Sequence, residues 1–200
     1  MHRSASSVHR QVPLTFPHVM HMGFESFAAG SLVYCGPYLY GDSLNLQLRA
    51  LGQVFQHRFR QKLKESIYSV SSDTVLLTTF RYPQGFFIIQ LDFRCAPDGM
   101  DSVVAIGQRV ADSIRLGAGE EDARRIMEEG KKALKTETAS NAFWTDYLED
   151  KFRKDDDPYE IAHYPYYYRK VTKQSLQATA AWALSGNNFT KFGLEPLKKQ

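Results

Sequence analysis

A chain of 200 residues with 43% hydrophobic and 24% charged residues and a net charge of +3 suits one globular domain and excludes a disordered chain. Its two cysteines, Cys35 and Cys95, are too few for a disulfide framework or a four-thiolate zinc site. The mild positive charge makes no case for nucleic acid as a partner, and no stretch nears the roughly 20 apolar residues that span a bilayer, so no membrane is expected either.

Residues 1–24 contain no Asp or Glu but carry Arg3 and Arg10. We read residues 1–22 as an extended lead-in; a transit peptide shares that composition, whereas Pro13, Pro17, His18 and His21 interrupt the apolar core that a secretory signal needs. Ser31 to Cys35 is β-rich and ends at Gly36-Pro37, which predicts a strand. Gly41-Asp42-Ser43 then opens a helix in which Leu44, Leu48, Leu51, Phe55 and Phe59 form one apolar face through to about Lys64. Ile67 to Phe80 reads as a strand, and Tyr82-Pro83-Gln84-Gly85 as a turn. Beyond it Phe87, Ile89, Leu91 and Phe93 alternate with Gln90 and Asp92, the clearest strand in the chain. The two strands form an expected antiparallel hairpin.

After Pro97-Asp98 the period changes. Met100, Val103, Val104, Gly107, Val110, Ala111 and Ile114 mark a second helix, with Asp98 or Asp101 near its start. Gly117-Ala118-Gly119 breaks it. Ala123, Ile126, Met127, Gly130, Ala133 and Leu134 mark a third helix, expected to run to Tyr147 or beyond, with Glu121–Arg125 and Glu128–Lys132 pairs on its wet face. Asp157-Pro158-Tyr159-Glu160 is a helix start. Thr172 caps a last helix with Leu176, Ala180 and Leu184 on one face, and Asn187 to Leu194 suits a closing strand. The expected fold is α+β, one domain over residues 23–197, with helices on one face of an antiparallel sheet.

Chemical motifs are scarce. Neither His-Glu-x-x-His nor His-x-x-Glu-His occurs, nor does a phosphate-cradling loop or a dinucleotide fingerprint. His18-x-x-His21 with Glu25 has ligand types but no helix to fix their geometry. Asp155-Asp156-Asp157 is read as a solvated loop ending in a cap rather than a calcium site. The Tyr164–Tyr168 cluster is read as core against the sheet with wet hydroxyls. Asn188-Phe189-Thr190 is a formal glycosylation acceptor, read as idle. Arg60 and Tyr68 stand where the long helix gives way to the long strand. A guanidinium fork and a phenol there can face one cleft and donate to carbonyl or carboxylate oxygens.

At this point the chain resembles a family. Ser31-Leu32-Val33-Tyr34, Asn45 to Leu51, Phe59-Arg60-Gln61-Lys62-Leu63 and Ile67-Tyr68-Ser69-Val70 occur in the order found in the non-catalytic C-terminal domain of pitrilysin/insulinase-type zinc peptidases. So do Tyr82-Pro83-Gln84-Gly85-Phe86, Phe93-Arg94-Cys95-Ala96-Pro97, Asn141-Ala142-Phe143-Trp144, Asp156-Asp157-Pro158, Val171-Thr172 and Gly193-Leu194-Glu195-Pro196. The resemblance covers residues 20–197. It implies an inverzincin domain of the processing-peptidase type that carries no cofactor itself. Zinc is then expected in a catalytic partner half or subunit, with a peptide as substrate. It also implies that Arg60 and Tyr68 approach that peptide. The family spaces this pair by seven residues; here the spacing is eight, and Gln61 stands at the seventh position before Tyr68.

Overall fold

The computed structural model describes residues 19–22, 25–66, 70–117 and 119–197. Five strands, β1 (Val19–His21), β2 (Ala28–Pro37), β3 (Val70–Phe80), β4 (Phe86–Cys95) and β5 (Phe189–Glu195), form one sheet in the order β1-β5-β2-β4-β3. The sheet is antiparallel except at β1, which runs parallel to β5. Val19–His21 stands in the span read as lead-in and forms this outer strand. The β3–β4 hairpin is as expected, with Leu77 opposite Ile89; Ile67 to Ser69 lie outside the described residues.

The alternation in β4 decides which side is covered. Phe87, Ile89, Leu91 and Phe93 are buried, as are Ala28, Leu32 and Tyr34 of β2, because side chains along a strand point alternately to the two faces. Helix α1 (Asp42–Lys64) lies on that face and buries Leu48, Leu51, Val54, Phe55 and Phe59, the apolar stripe of a 3.6-residue period. Burying one such side chain contributes about 1.5–3 kcal/mol. Helix α2 (Met100–Leu116) follows a short 3-10 turn. It meets the sheet through Gly107, where an added Cβ would stand 2.3 Å from Leu32 Cδ1. Only a residue without a side chain permits that approach.

The third predicted helix is two. Helix α3 (Glu120–Glu137) stops at Thr138, and α4 (Asn141–Lys154) begins after Ser140, which is extended. The Thr138 hydroxyl donates back to Leu134 O at 2.8 Å, and Trp144 Nε1 donates to Thr138 O at 2.9 Å. Leu134 O also keeps its helical bond from Thr138 N at 3.0 Å, whereas Thr138 O, which a continuing helix would have used, is satisfied by the Trp144 indole. The wet-face pairs also differ: Arg124 takes Glu121 (2.7 Å) and Glu128 (3.4 Å), while Arg125 turns to Asp122 (3.4 Å).

Asp157 caps a short 3-10 segment, Pro158–His163, by accepting from Tyr159 N at 2.9 Å. It leads into α5 (Tyr164–Arg169). Tyr168 is buried, but against α3 rather than the sheet: an added Cβ on Gly130 would meet its ring at 2.1 Å. Tyr166 stays exposed. Helix α6 (Lys173–Ala183) starts at Thr172, whose hydroxyl accepts from Ser175 N at 3.1 Å, the capping-box geometry. The six α-helices of the described residues all follow β2 in the chain, and none of their buried residues lies on the opposite face of the sheet.

Candidate functional site

The uncovered sheet face is the candidate site. Ala29, Ser31 and Val33 of β2 alternate outward, with Gln90, Asp92 and Arg94 of β4 opposite. Ser72, Thr74 and Leu76 of β3 extend the surface on one side, and Phe192 and Leu194 of β5 on the other. All of these except Val33 and Gln90, together with Met20 of β1, line a concave recess of about 650 Å³. Leu76, Phe192 and Leu194 are 43–49% exposed there, so an apolar floor faces solvent. Asp92 sits in its centre, directly across from Ser31 on β2 and Thr74 on β3. The Gln90 side-chain amide donates to both Asp92 oxygens, at 2.8 and 3.0 Å.

Arg60 stands elsewhere. Its Nε donates to Asp73 Oδ1 at 2.5 Å, and a second guanidinium nitrogen donates to Asp73 O at 3.3 Å. Asp73 is on the helix-facing side of β3, so the pair ties the C-terminal part of α1 to the start of that strand. The Arg60 side chain is 53% exposed. Tyr68 lies outside the described residues.

The other sequence candidates serve the scaffold. His18 is outside the described residues, and His21 Nδ1 lies 3.6 Å from Glu195 Oε2. Among the described residues, no three His, Cys, Asp or Glu side chains are grouped to hold a metal ion. Asp155 ends α4 in a left-handed conformation (φ 55°). Asp156 is not solvated: its side chain is 11% exposed and binds Arg81 Nη1 at 2.7 Å. Asn188 Nδ2 donates to Trp182 O at 2.8 Å, so this amide is already engaged.

A second hollow, of about 830 Å³, opens on the helix side between α1, β3 and α4. Phenols crowd it. Burial pushes Tyr147 from its ordinary value of 10.0 up to about 12, and behind the lining, 6.1 Å from the Tyr40 ring, burial likewise raises Tyr38 to about 12. Tyr40 and Tyr164 are pushed up further, again first by burial. A raised folded-state pKa means that the native chain holds these protons more tightly than the unfolded chain does. The stability they contribute is complete below the ordinary value of 10 and is lost as pH climbs toward about 12. Thermal melts should therefore fall steeply above pH 10, and Tyr38→Phe should make the fall shallower.

The recess on the open face escaped the sequence reading, although one signal was present. Gln90 and Asp92 are the polar half of the clearest strand, but only the topology shows that Ser31 and Thr74 flank Asp92.

No family model and no curated protein matches the sequence, but solved structures do. The chain is similar to the periplasmic protease PqqL from Escherichia coli, with a TM-score of 0.75 and 14% identity over 90% of this chain and 20% of that one. It is also similar to a peptidase M16 inactive domain from Pseudomonas fluorescens, with a TM-score of 0.71 and 14% identity over 91% of this chain and 44% of that one. A protease from Helicobacter pylori gives a TM-score of 0.71 and 13% identity over 89% of this chain and 43% of that one. The chain thus spans less than half the length of each. The chain has the fold of M16 peptidase domains, the pitrilysin/insulinase type that the sequence resembles.

Proposed function

We propose that this chain is a non-catalytic half of an insulinase-type zinc metallopeptidase, which closes the chamber and positions a peptide for a zinc-bearing partner half. The observation that carries this reading is the open, partly apolar sheet face on a fold shared with proteins more than twice as long, one of them an inactive peptidase domain. The donor set needed for zinc is not assembled among the described residues, and the sequence has no His-x-x-Glu-His. The metal, which would polarise the scissile carbonyl and activate water, is therefore assigned to the partner half. In this reading the chain's own residues bind and orient. The sheet face excludes water from one side of the peptide, while Arg60 and Tyr68 approach it from the junction of α1 and β3.

The test is reconstitution. The purified chain alone should cleave no peptide, and adding it to a zinc-bearing M16-type half should raise cleavage in a chelator-sensitive way. Chelator-sensitive hydrolysis by the chain alone would overturn the proposal. Binding to the catalytic half with no change in its rate would instead favour an inert scaffold or interaction module of the same fold.

A further inference from the structure

We propose that Asp92 is a specificity subsite on the open sheet face, taking the cationic side chain of a Lys or Arg in an extended peptide. The inference rests on the peptide-handling reading above and adds a substrate preference to it.

The charge balance of the molecule singles this carboxylate out. The partly buried acids of the helix layer are neutralised: Asp42, Asp73, Asp122 and Asp156 each hold a Lys or Arg nitrogen at 2.5–2.7 Å. Asp92 is half-buried and has no such partner among the described residues. The nearest cation along its own strand, Arg94, shares its face but lies over the Phe27 ring, 5.0 Å from the centroid. Gln90 fixes the orientation of the carboxylate with two hydrogen bonds, yet a neutral amide leaves the charge uncompensated. Across the strand pair, Ser31 Oγ is buried and has no hydrogen-bond partner in the structure. Arg94 lines the same recess, but its guanidinium lies over Phe27 and makes no ion pair with Asp92, so an oriented carboxylate beside an unpartnered hydroxyl leaves a place for a cation.

The walls say which cation fits. Leu76, Phe192 and Leu194 are apolar and open to solvent. A long aliphatic stem can lie on them while its charged head reaches the carboxylate. A peptide laid along the sheet in extended form points alternate side chains at the floor, so one Lys or Arg reaches Asp92 without bending the backbone.

The experiment measures the affinity of the full chain for short fluorescent peptides, N-acetylated and C-amidated so that no terminal charge competes. One carries a single central Lys in a neutral, β-prone background; in the others norleucine or Glu replaces it. The Lys peptide should bind about fivefold or more tightly than the norleucine peptide at low salt, and the Glu peptide most weakly. The gap should shrink at high salt and vanish in Asp92→Asn, with norleucine binding unchanged. Asp92→Ser serves as a second variant, and thermal melts report that both are folded. Equal affinity of the Lys and norleucine peptides, or a Lys preference that survives in Asp92→Asn, overturns the subsite and leaves the peptide-handling reading standing. Failure of every peptide to bind overturns both.

Discussion

Replacing Lys151 with Ala should cost the protein about 3 kcal/mol or more, one of the largest losses available to any polar substitution here. Lys151 is on α4 with only 5% of its side chain exposed, and its Nζ lies 2.7 Å from Asp42 Oδ2 and 3.9 Å from Asp156 Oδ2. Asp42 is in the first turn of α1, where a carboxylate also suits the helix dipole. Asp156 in turn accepts from Tyr40 Oη at 2.7 Å and from Arg81 Nη1 at 2.7 Å. Arg81 also donates to Lys154 O at 2.9 Å and to Asp155 O. One ammonium thus links the start of α1, the end of α4 and the residue that follows β3. Removing it leaves Asp42, 16% exposed, without the charge that offsets its burial, while Asp156 keeps Arg81. The sharper arm is the double variant Lys151→Met with Asp42→Asn. It leaves no isolated charge from that pair and should recover more than half of the loss, since the penalty lies in the orphaned partner rather than in the missing bond. Urea unfolding measures both. A cost under about 1 kcal/mol for Lys151→Ala would place the pair with exposed ion pairs that contribute little.

Lys151 also shows why parts of this structure were hidden in the sequence. Its partner Asp42 is 109 residues away, and nothing in a charge pattern announces a pairing set by topology. Periodic segments were legible because burial on one face writes its own period: the stripe of α1, the alternation of β4 and the Thr172 cap all appear as read. The break between α3 and α4 was not legible. Thr136, Ala139 and Ser140 are tolerable inside a helix, and the freed Thr138 carbonyl is taken by the Trp144 indole. Strand β1 has three exposed residues, so it has no apolar period to read, and only its pairing with β5 defines it. The same limit applies to the open face. Ser31 and Asp92 are 61 residues apart and meet only through the β2–β4 register.

Tyr68→Phe should lower the kcat of a reconstituted two-half enzyme by about 10²-fold, the usual loss when one donor to a developing oxyanion is removed. The substitution keeps the ring and removes only the phenolic donor, so the loss should appear in kcat with KM nearly unchanged. Arg60→Met tests the other member of the pair implied by the resemblance. The Arg60 guanidinium already holds Asp73 at 2.5 Å with 53% of its side chain exposed, so the variant should lose under about 1 kcal/mol of stability. If Arg60 grips peptide oxygens, that variant raises KM, since such a contact acts on ground and transition state alike. Gln61→Ala then decides the one-residue difference in spacing. Unchanged kinetics in Gln61→Ala beside a raised KM in Arg60→Met assign the peptide contact to Arg60; the reverse pattern assigns it to Gln61 and leaves Arg60 as a tie between α1 and β3. Full activity in Tyr68→Phe would remove the phenol from the mechanism and leave this half to act through its sheet face alone.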